Sequence, residues 1–199
     1  MPYTVVRFDK TMLSLLPRPE EPIEVIGRLV PEYNGREWKI YEELYDTPHE
    51  KTYPEDQYDP MIYIDNPDMV AFLAMRDGEC VGSLRVSKRW NGNAHVDDIA
   101  IDRAHRGRGV GTMLMDAAIE WGGEKGLQGV SLETQDWNLL ACRFYLKYGF
   151  KLGGVDLHVY DSTVSRGETA LYFYLFPAGL CELCIFRSVM GVFAILSKR

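Results

Sequence analysis

Ala94-His95-Val96-Asp97-Asp98-Ile99-Ala100-Ile101-Asp102 runs, after three residues, into Arg106-Gly107-Arg108-Gly109-Val110-Gly111-Thr112-Met113-Leu114. The first stretch reads as a strand. The second opens a helix, because Val110, Met113, Leu114, Ala117, Ala118 and Trp121 fall at i, i+3, i+4, i+7, i+8 and i+11, one face of a 3.6-residue period. Between them lies a glycine loop. Glycines let backbone N–H groups approach an anion closely, and a helix N-terminus adds orphan donors and partial positive charge. Arg106 and Arg108 add two full charges. The combination predicts a phosphate cradle, against the plainer alternative of a tight turn with solvated arginines. It is not a P-loop, which needs Lys-Ser/Thr after its last glycine; here Thr112-Met113 follow Gly111. Nor is it a dinucleotide fingerprint, whose third glycine would fall at Thr112.

Upstream, residues 69–76, 80–90 and 94–102 are apolar or alternating runs separated by Asp77-Gly78 and Asn91-Gly92, two hairpin turn signals. They predict an antiparallel meander. Downstream, Gly122 and Gly123 weaken the helix and Gly126 stops it; residues 129–135 read as a strand. Asp136 or Asn138 caps a second helix that reaches Tyr148 and closes at Gly149. Residues 150–160 and 168–176 read as two more strands. Earlier in the chain, residues 3–8, 23–30 and 38–46 read as strands. A short helix fits at 11–16, ahead of Pro17, Pro19 and Pro22. Residues 47–60, with Pro48, Pro54 and Pro60, read as an irregular loop. The expected fold class is α+β: a mostly antiparallel central sheet flanked by helices.

With 199 residues, the expectation is a single domain over 1–176, followed by an apolar tail at 177–199. Glu182 and Arg187 interrupt that tail, and its uncharged stretch 188–197 is too short to span a bilayer. It reads as a helix docked on its own domain or on a partner, which leaves room for a homodimer. Cys181 and Cys184 lack a second Cys or His pair, so no metal site is expected. Four cysteines make no disulfide framework, and the N-terminus has no signal-peptide pattern, so the reading is cytoplasmic. A net charge of −7 argues against a nucleic-acid footprint. Residues 41–70 hold nine acidic side chains against the single Lys51, together with Tyr41, Tyr45, Tyr53, Tyr58 and Tyr63. That block reads either as a solvated loop or as one wall of a site for a cation.

The spacing Arg106-x-x-Gly109-x-Gly111 after a strand resembles motif A of the GNAT superfamily of N-acetyltransferases. Asn138-x-x-Ala141-x-x-Phe144-Tyr145-x-Lys147-x-Gly149-Phe150 resembles a second segment of the same family. Val96-Asp97-Asp98-Ile99-Ala100-Ile101, Leu132-Glu133-Thr134-Gln135-Asp136, Trp90-Asn91-Gly92 and residues 170–174 are similar to the streptothricin acetyltransferases within it. The likeness covers residues 23–176. It departs at Asp97, where such enzymes commonly carry Glu, and at the Gly122-Gly123 pair.

The resemblance implies acetyl-CoA as cosubstrate, held by Ile99, Ala100 and Ile101, by residues Arg106, Gly107, Arg108, Gly109, Val110, Gly111 and Thr112, and by Asn138, Ala141 and Tyr145. It implies Tyr145 as the general acid for the departing thiolate. It also implies transfer to a small cationic amine: on the β-lysine arm of a streptothricin-type antibiotic, or alternatively a polyamine, an aminoglycoside or a protein lysine. A non-catalytic acyl-CoA-binding module is the competing class. An alkylammonium cannot attack a thioester until it loses a proton. Asp97, Asp98 and Glu133 are the candidates for that base; with Tyr63 and Asp136 they are also candidates for holding the ammonium. Asp97 and Asp98 face opposite sides of a regular strand unless a bulge intervenes. Cys142 reads as a small buried helix residue, and His95, His105 and His158 lack metal spacing.

Overall fold

The computed structural model describes residues 2–16, 21–53 and 58–176. These residues hold nine strands and two α-helices: β1 Thr4–Arg7, β2 Ile23–Tyr33, β3 Trp38–Lys51, β4 Met69–Arg76, β5 Glu79–Lys88, β6 Asn93–Ile101, α1 Val110–Glu124, β7 Gly129–Gln135, α2 Leu139–Tyr148, β8 Lys151–Asp156 and β9 Ala170–Leu175. Short 3-10 turns precede β2, β4 and α1. Seven strands form the main sheet in the order β1-β4-β5-β6-β7-β9-β8, and β2 and β3 form a separate hairpin.

The meander is as its turn residues dictate. Asp77 and Gly78 both have positive φ, the backbone that a two-residue hairpin turn with right-handed twist requires. Among the described residues the only parallel pair is β6 with β7, joined through α1. Helix α1 continues through Gly122 and Gly123. Gly122 is buried, and a Cβ there would stand 3.4 Å from that of Ala94, so the pair lets the helix lie close on β6. Leu114, Met115, Ala118 and Trp121 face the sheet and join Val86, Val96, Leu132 and Phe173 in the main core. Helix α2 lies beside α1: the Tyr148 hydroxyl donates to Asp116 at 2.5 Å, and Phe144 meets Gly111. Its outer side contacts β2, and Arg143 pairs with Glu42 of the adjoining β3 at 2.5 Å. The opposite face of the sheet carries a smaller core of Phe8, Leu16, Tyr63, Ala71 and Leu73.

Two expectations need correction. Residues 47–51 are not loop but the end of β3. Pro48 is accommodated because the register jumps from Gly27 opposite Leu44 to Val25 opposite His49, so residues 45–48 face Ile26 alone and no ladder N–H is demanded of the proline. The strand expected to run to residue 160 stops at Asp156, whose carboxylate accepts the N–H groups of His158 and Val159 and turns the chain. Residues 157–169 are therefore a loop. The tail 177–199 lies outside the described residues.

Leu114 is fully buried between α1 and the sheet. Leu114→Ala is expected to lower unfolding stability by about 2–5 kcal/mol with an unchanged denaturant slope, measured by urea titration.

Candidate active site

The β6–β7 ladder is short. Pairing runs from Asn93 with Gly129 to Val96 with Leu132 and ends there. Beyond it, β6 continues against β5 only, and β7 against β9 only. The two strands diverge, and the edge of β6 at Ile99, Ala100 and Ile101 is left facing a gap. At its head sits the N-terminus of α1. Gly109 is the N-cap in the left-handed region, with no side-chain cap, so the first N–H groups of the helix are offered outward. Gly107 and Gly109 have positive φ, and no heavy atom lies within 4 Å of where a Cβ would stand on either, which leaves open space over the loop. Arg108 is exposed beside it.

Two loop residues also brace the loop. A Cβ on Gly111 would come within 3.1 Å of Ile101 and Phe144, so the missing side chain permits the close packing of α1, while its N–H is one of the first of the helix. The Arg106 guanidinium donates to the Ile101 carbonyl at 2.9 Å and pairs with Glu21 at 3.3 Å, tying the loop to the end of β6. Val110 is buried, and Thr112 follows on the first turn. Across the gap, Asn138 caps α2 by accepting from the Ala141 N–H at 3.4 Å. Tyr145 projects from α2 into a ring cluster with Phe144, Phe150 and Phe173. Burial pushes its phenol well above the usual range, and Cys142, Asp98 and Glu133 add to that, so the hydroxyl keeps its proton at neutral pH. Cys142 is buried, and its thiol is raised to about 12, mainly by burial, which removes it as a nucleophile.

On the sheet face away from the helices, a bulge decides the carboxylates. Arg85 pairs with Asp98 and Val86 with Val96, so Asp97 is the extra residue. Both acids therefore reach the face that carries Arg85 and Ser87. Asp97 accepts from Ser87 Oγ at 2.8 Å and from Arg89 at 3.0 Å, while its Oδ2 is buried without a partner among the described residues. Burial raises its pKa, opposed by Ser87 and the two arginines. Asp98 stands 3.5 Å from the Arg85 guanidinium, which in turn lies 3.9 Å over the Tyr58 ring. Glu133, on β7, accepts from the Tyr160 hydroxyl; burial raises its pKa and that hydrogen bond opposes the rise.

A cavity of about 380 Å³ opens here, lined by Arg89, Trp90, His95, Glu133, Tyr172 and Tyr174 among others. His95 faces it, with Nδ1 3.1 Å from Ser131 Oγ. Burial, with Arg89 adding, pulls its pKa down to about 4.

Tyr63 does not face this site. It is 3% exposed in the smaller core and meets Tyr58 edge to face. Asp136 is a brace: its N–H donates to the Thr169 carbonyl at 2.9 Å, and its carboxylate accepts from the Thr169 N–H at 3.1 Å. Among the described residues, five acids of the acidic block pair with cations elsewhere: Glu42, Glu43 and Glu50 with Arg143, Arg28 and Arg103, Asp65 with Lys10 and Asp68 with Lys88. Sequence reasoning missed Tyr160, Arg85 and Glu168. Only the tertiary structure brings them in, and a buried-strand arginine opposite a bulged acid was the one available hint.

Among the described residues no group of three or more His, Cys, Asp or Glu could hold a metal, and no helix is long and apolar enough to cross a membrane. A profile described as the acetyltransferase (GNAT) family matches residues 38–150. The chain belongs to that family. It is an N-acetyltransferase whose acetyl donor is acetyl-CoA. This acetyltransferase is 38% identical to streptothricin acetyltransferase A of Bacillus subtilis (strain 168) over 79% of its own length and 90% of the relative's. Among solved structures, a protein assigned as a streptothricin acetyltransferase from Bacillus anthracis (strain Ames), in complex with acetyl coenzyme A, superposes with a TM-score of 0.80 at 30% identity, covering 89% of this chain and 99% of that one. A nourseothricin acetyltransferase superposes at 0.74 and 30%, covering 87% and 98%.

His95 gives a test of the site's electrostatics. The folded protein resists its protonation while the unfolded chain takes the proton near pH 6.5. Stability tied to His95 is thus present above pH 6.5 and lost as pH falls toward 4. Between pH 7 and 5, His95→Gln is expected to lose about 1–2 kcal/mol less stability than the parent protein, measured by denaturant titration at each pH.

Proposed function

We propose that this acetyltransferase acetylates an amine on the β-lysine arm of streptothricin-type antibiotics and so confers resistance, by direct transfer within a ternary complex. The observation that carries this reading is the reach of the likeness. It extends well beyond residues 38–150 to 89% of the chain, taking in the elements that border the carboxylate side of the gap. Chemistry supports it as well. A polycationic drug suits a sheet face that carries Asp97, Asp98 and Glu133, with a cavity lined by Glu133, Tyr172 and Tyr174. We read residues 1–176 as one catalytic unit, acting in the cytoplasm.

In this reading the open edge of β6 and the orphan N–H groups at Gly109–Thr112 hold the pantetheine arm and the pyrophosphate of acetyl-CoA. Glu133 is the base. Asp98 lies beside the Arg85 guanidinium and Asp97 is tied to Ser87 and Arg89, whereas Glu133 has only a neutral phenol as partner and burial raises its pKa, which favours it as the proton acceptor. The ammonium gives a proton to Glu133, and the amine nitrogen attacks the thioester carbon. The carbonyl oxygen takes up charge against backbone N–H groups. The C–S bond breaks, the CoA thiolate accepts a proton from Tyr145, and the nitrogen gives up its second proton, which restores the phenol; the products are the neutral amide, free CoA and a protonated Glu133 that returns its proton to solvent.

Tyr145→Phe is expected to lower kcat about 100–10,000-fold while calorimetry shows acetyl-CoA affinity nearly unchanged; an unchanged kcat would return Tyr145 to a packing role. The substrate is tested by kcat/KM for streptothricin against spermidine, kanamycin and a lysine peptide. Streptothricin is expected to be the best of the four, and any other order overturns the assignment.

A further inference from the structure

The loop of residues 157–169 folds on itself through short turns: Asp161 N–H to the His158 carbonyl, Thr163 N–H to that of Tyr160, and Glu168 N–H to that of Ser165. Ser165 is buried at its centre. It is therefore a formed body, and among the described residues its attachments to the rest of the molecule include the following. Thr169 and Asp136 exchange hydrogen bonds at the start of β9. Tyr160 donates to Glu133. Glu168, its side chain one-tenth exposed, pairs with Lys51 and accepts from the Tyr53 hydroxyl at 2.8 Å. The Lys51 ammonium in turn lies 4.7 Å over the Trp137 ring and 5.0 Å over the Tyr53 ring. A carboxylate so buried is tolerable only when paired, and a half-buried ammonium between two aromatic faces is a specific rather than a casual partner. Lys51 ends β3 and Trp137 follows β7, so this contact joins the hairpin, the central sheet and the loop beside the gap.

We propose that Tyr160 is the positioning residue of Glu133, and that Lys51, Tyr53 and Glu168 form a clasp that seats the loop, and Tyr160 with it, over the acceptor side of the site. This rests on the reading of Glu133 as the base. The phenol fixes one carboxylate oxygen and leaves the other for the incoming amine. The groups around Glu133 that bear charge or titrate are Tyr160 and Tyr53 from above, Tyr172 from β9, Tyr145 from α2, Arg89 and His95 across the cavity, and Asp97 and Asp98 on β6. The tyrosines keep their protons and His95 is neutral above about pH 5; burial raises the pKa of both Glu133 and Asp97, opposed by the hydrogen bonds from Tyr160 and Ser87.

The test compares Tyr160→Phe, Lys51→Met, Lys51→Arg, Glu168→Gln and Glu133→Gln in the full chain, recording kcat and KM for streptothricin between pH 5.5 and 9. Removing the phenol withdraws a hydrogen bond that favours the carboxylate. Tyr160→Phe should therefore move the acidic limb of kcat/KM upward by about one pH unit, with activity at pH 6 falling about tenfold more than at pH 8.5. Lys51→Met and Glu168→Gln should raise KM for the drug and move the limb the same way, Lys51→Arg should restore both, and KM for acetyl-CoA should stay constant throughout. A Tyr160→Phe variant that loses activity equally at every pH, or keeps the parent profile, overturns the positioning role. Glu133→Gln separates the two readings: if its rate and profile match the parent, the base assignment fails. The clasp is then judged by hydrogen exchange alone. Exchange in residues 157–169 should rise in Lys51→Met and Glu168→Gln and not in Lys51→Arg; unchanged exchange overturns it.

Discussion

The site depends on a ladder that stops early. Four residue pairs join β6 to β7, and then the strands part while each keeps its other neighbour. Leaving strand edges unpaired forgoes hydrogen bonds that a sheet would ordinarily make. The sheet tolerates the break because both strands remain anchored: β6 to β5 through Ile101, β7 to β9 through Gln135. The two helices close over the core on one side, with Trp121, Leu114 and Met115 buried against it. What is lost in pairing is available to a ligand, and the glycine loop with its uncapped helix N-terminus stands at the mouth of the same gap.

Three carboxylates within a short stretch of sheet would repel one another in a dry site. They coexist because each meets a different partner. Asp98 lies beside Arg85, a guanidinium sandwiched against Tyr58; Asp97 shares Ser87 and Arg89; Glu133 has a phenol. Such differences in partner separate proton affinities among chemically similar groups and let one of them work as a base while its neighbours stay charged. The bulge at Asp97 is what places two of the three on one face, since an unbroken alternation would have sent one of them into the core.

Glycines in this chain serve two distinct physical ends. Gly107 and Gly109 adopt positive φ over open space, where a side chain would strain the backbone and fill the room above the loop. Gly111 and Gly122 are ordinary helical residues at which a Cβ would meet Ile101, Phe144 or Ala94, so they set how near α1 comes to its neighbours. The pair Gly122-Gly123, read from sequence as a helix weakness, is thus accommodated by burial.

Much of this was legible in the chain itself. Turn residues at Asp77-Gly78 and Asn91-Gly92, the helical period from Val110 to Trp121, and the caps at Asn138 and Gly149 are local signals, and local physics fixes them: which φ a residue tolerates, which N–H it can satisfy, which face it buries. They sufficed for the meander and both helices; the family was legible only through the resemblance of the two motifs at 106–111 and 138–150. The tertiary structure alone decided the rest. Why position 111 must be glycine, whether Tyr63 faces a cation or a core, whether the acids of β3 meet a substrate or an arginine, and which hydroxyl reaches Glu133 all depend on contacts between residues tens of positions apart. Sequence sets the chemistry that each side chain carries and the local shape of its backbone. Distance, burial and charge pairing arise only when the strands are laid side by side, and those quantities choose the role.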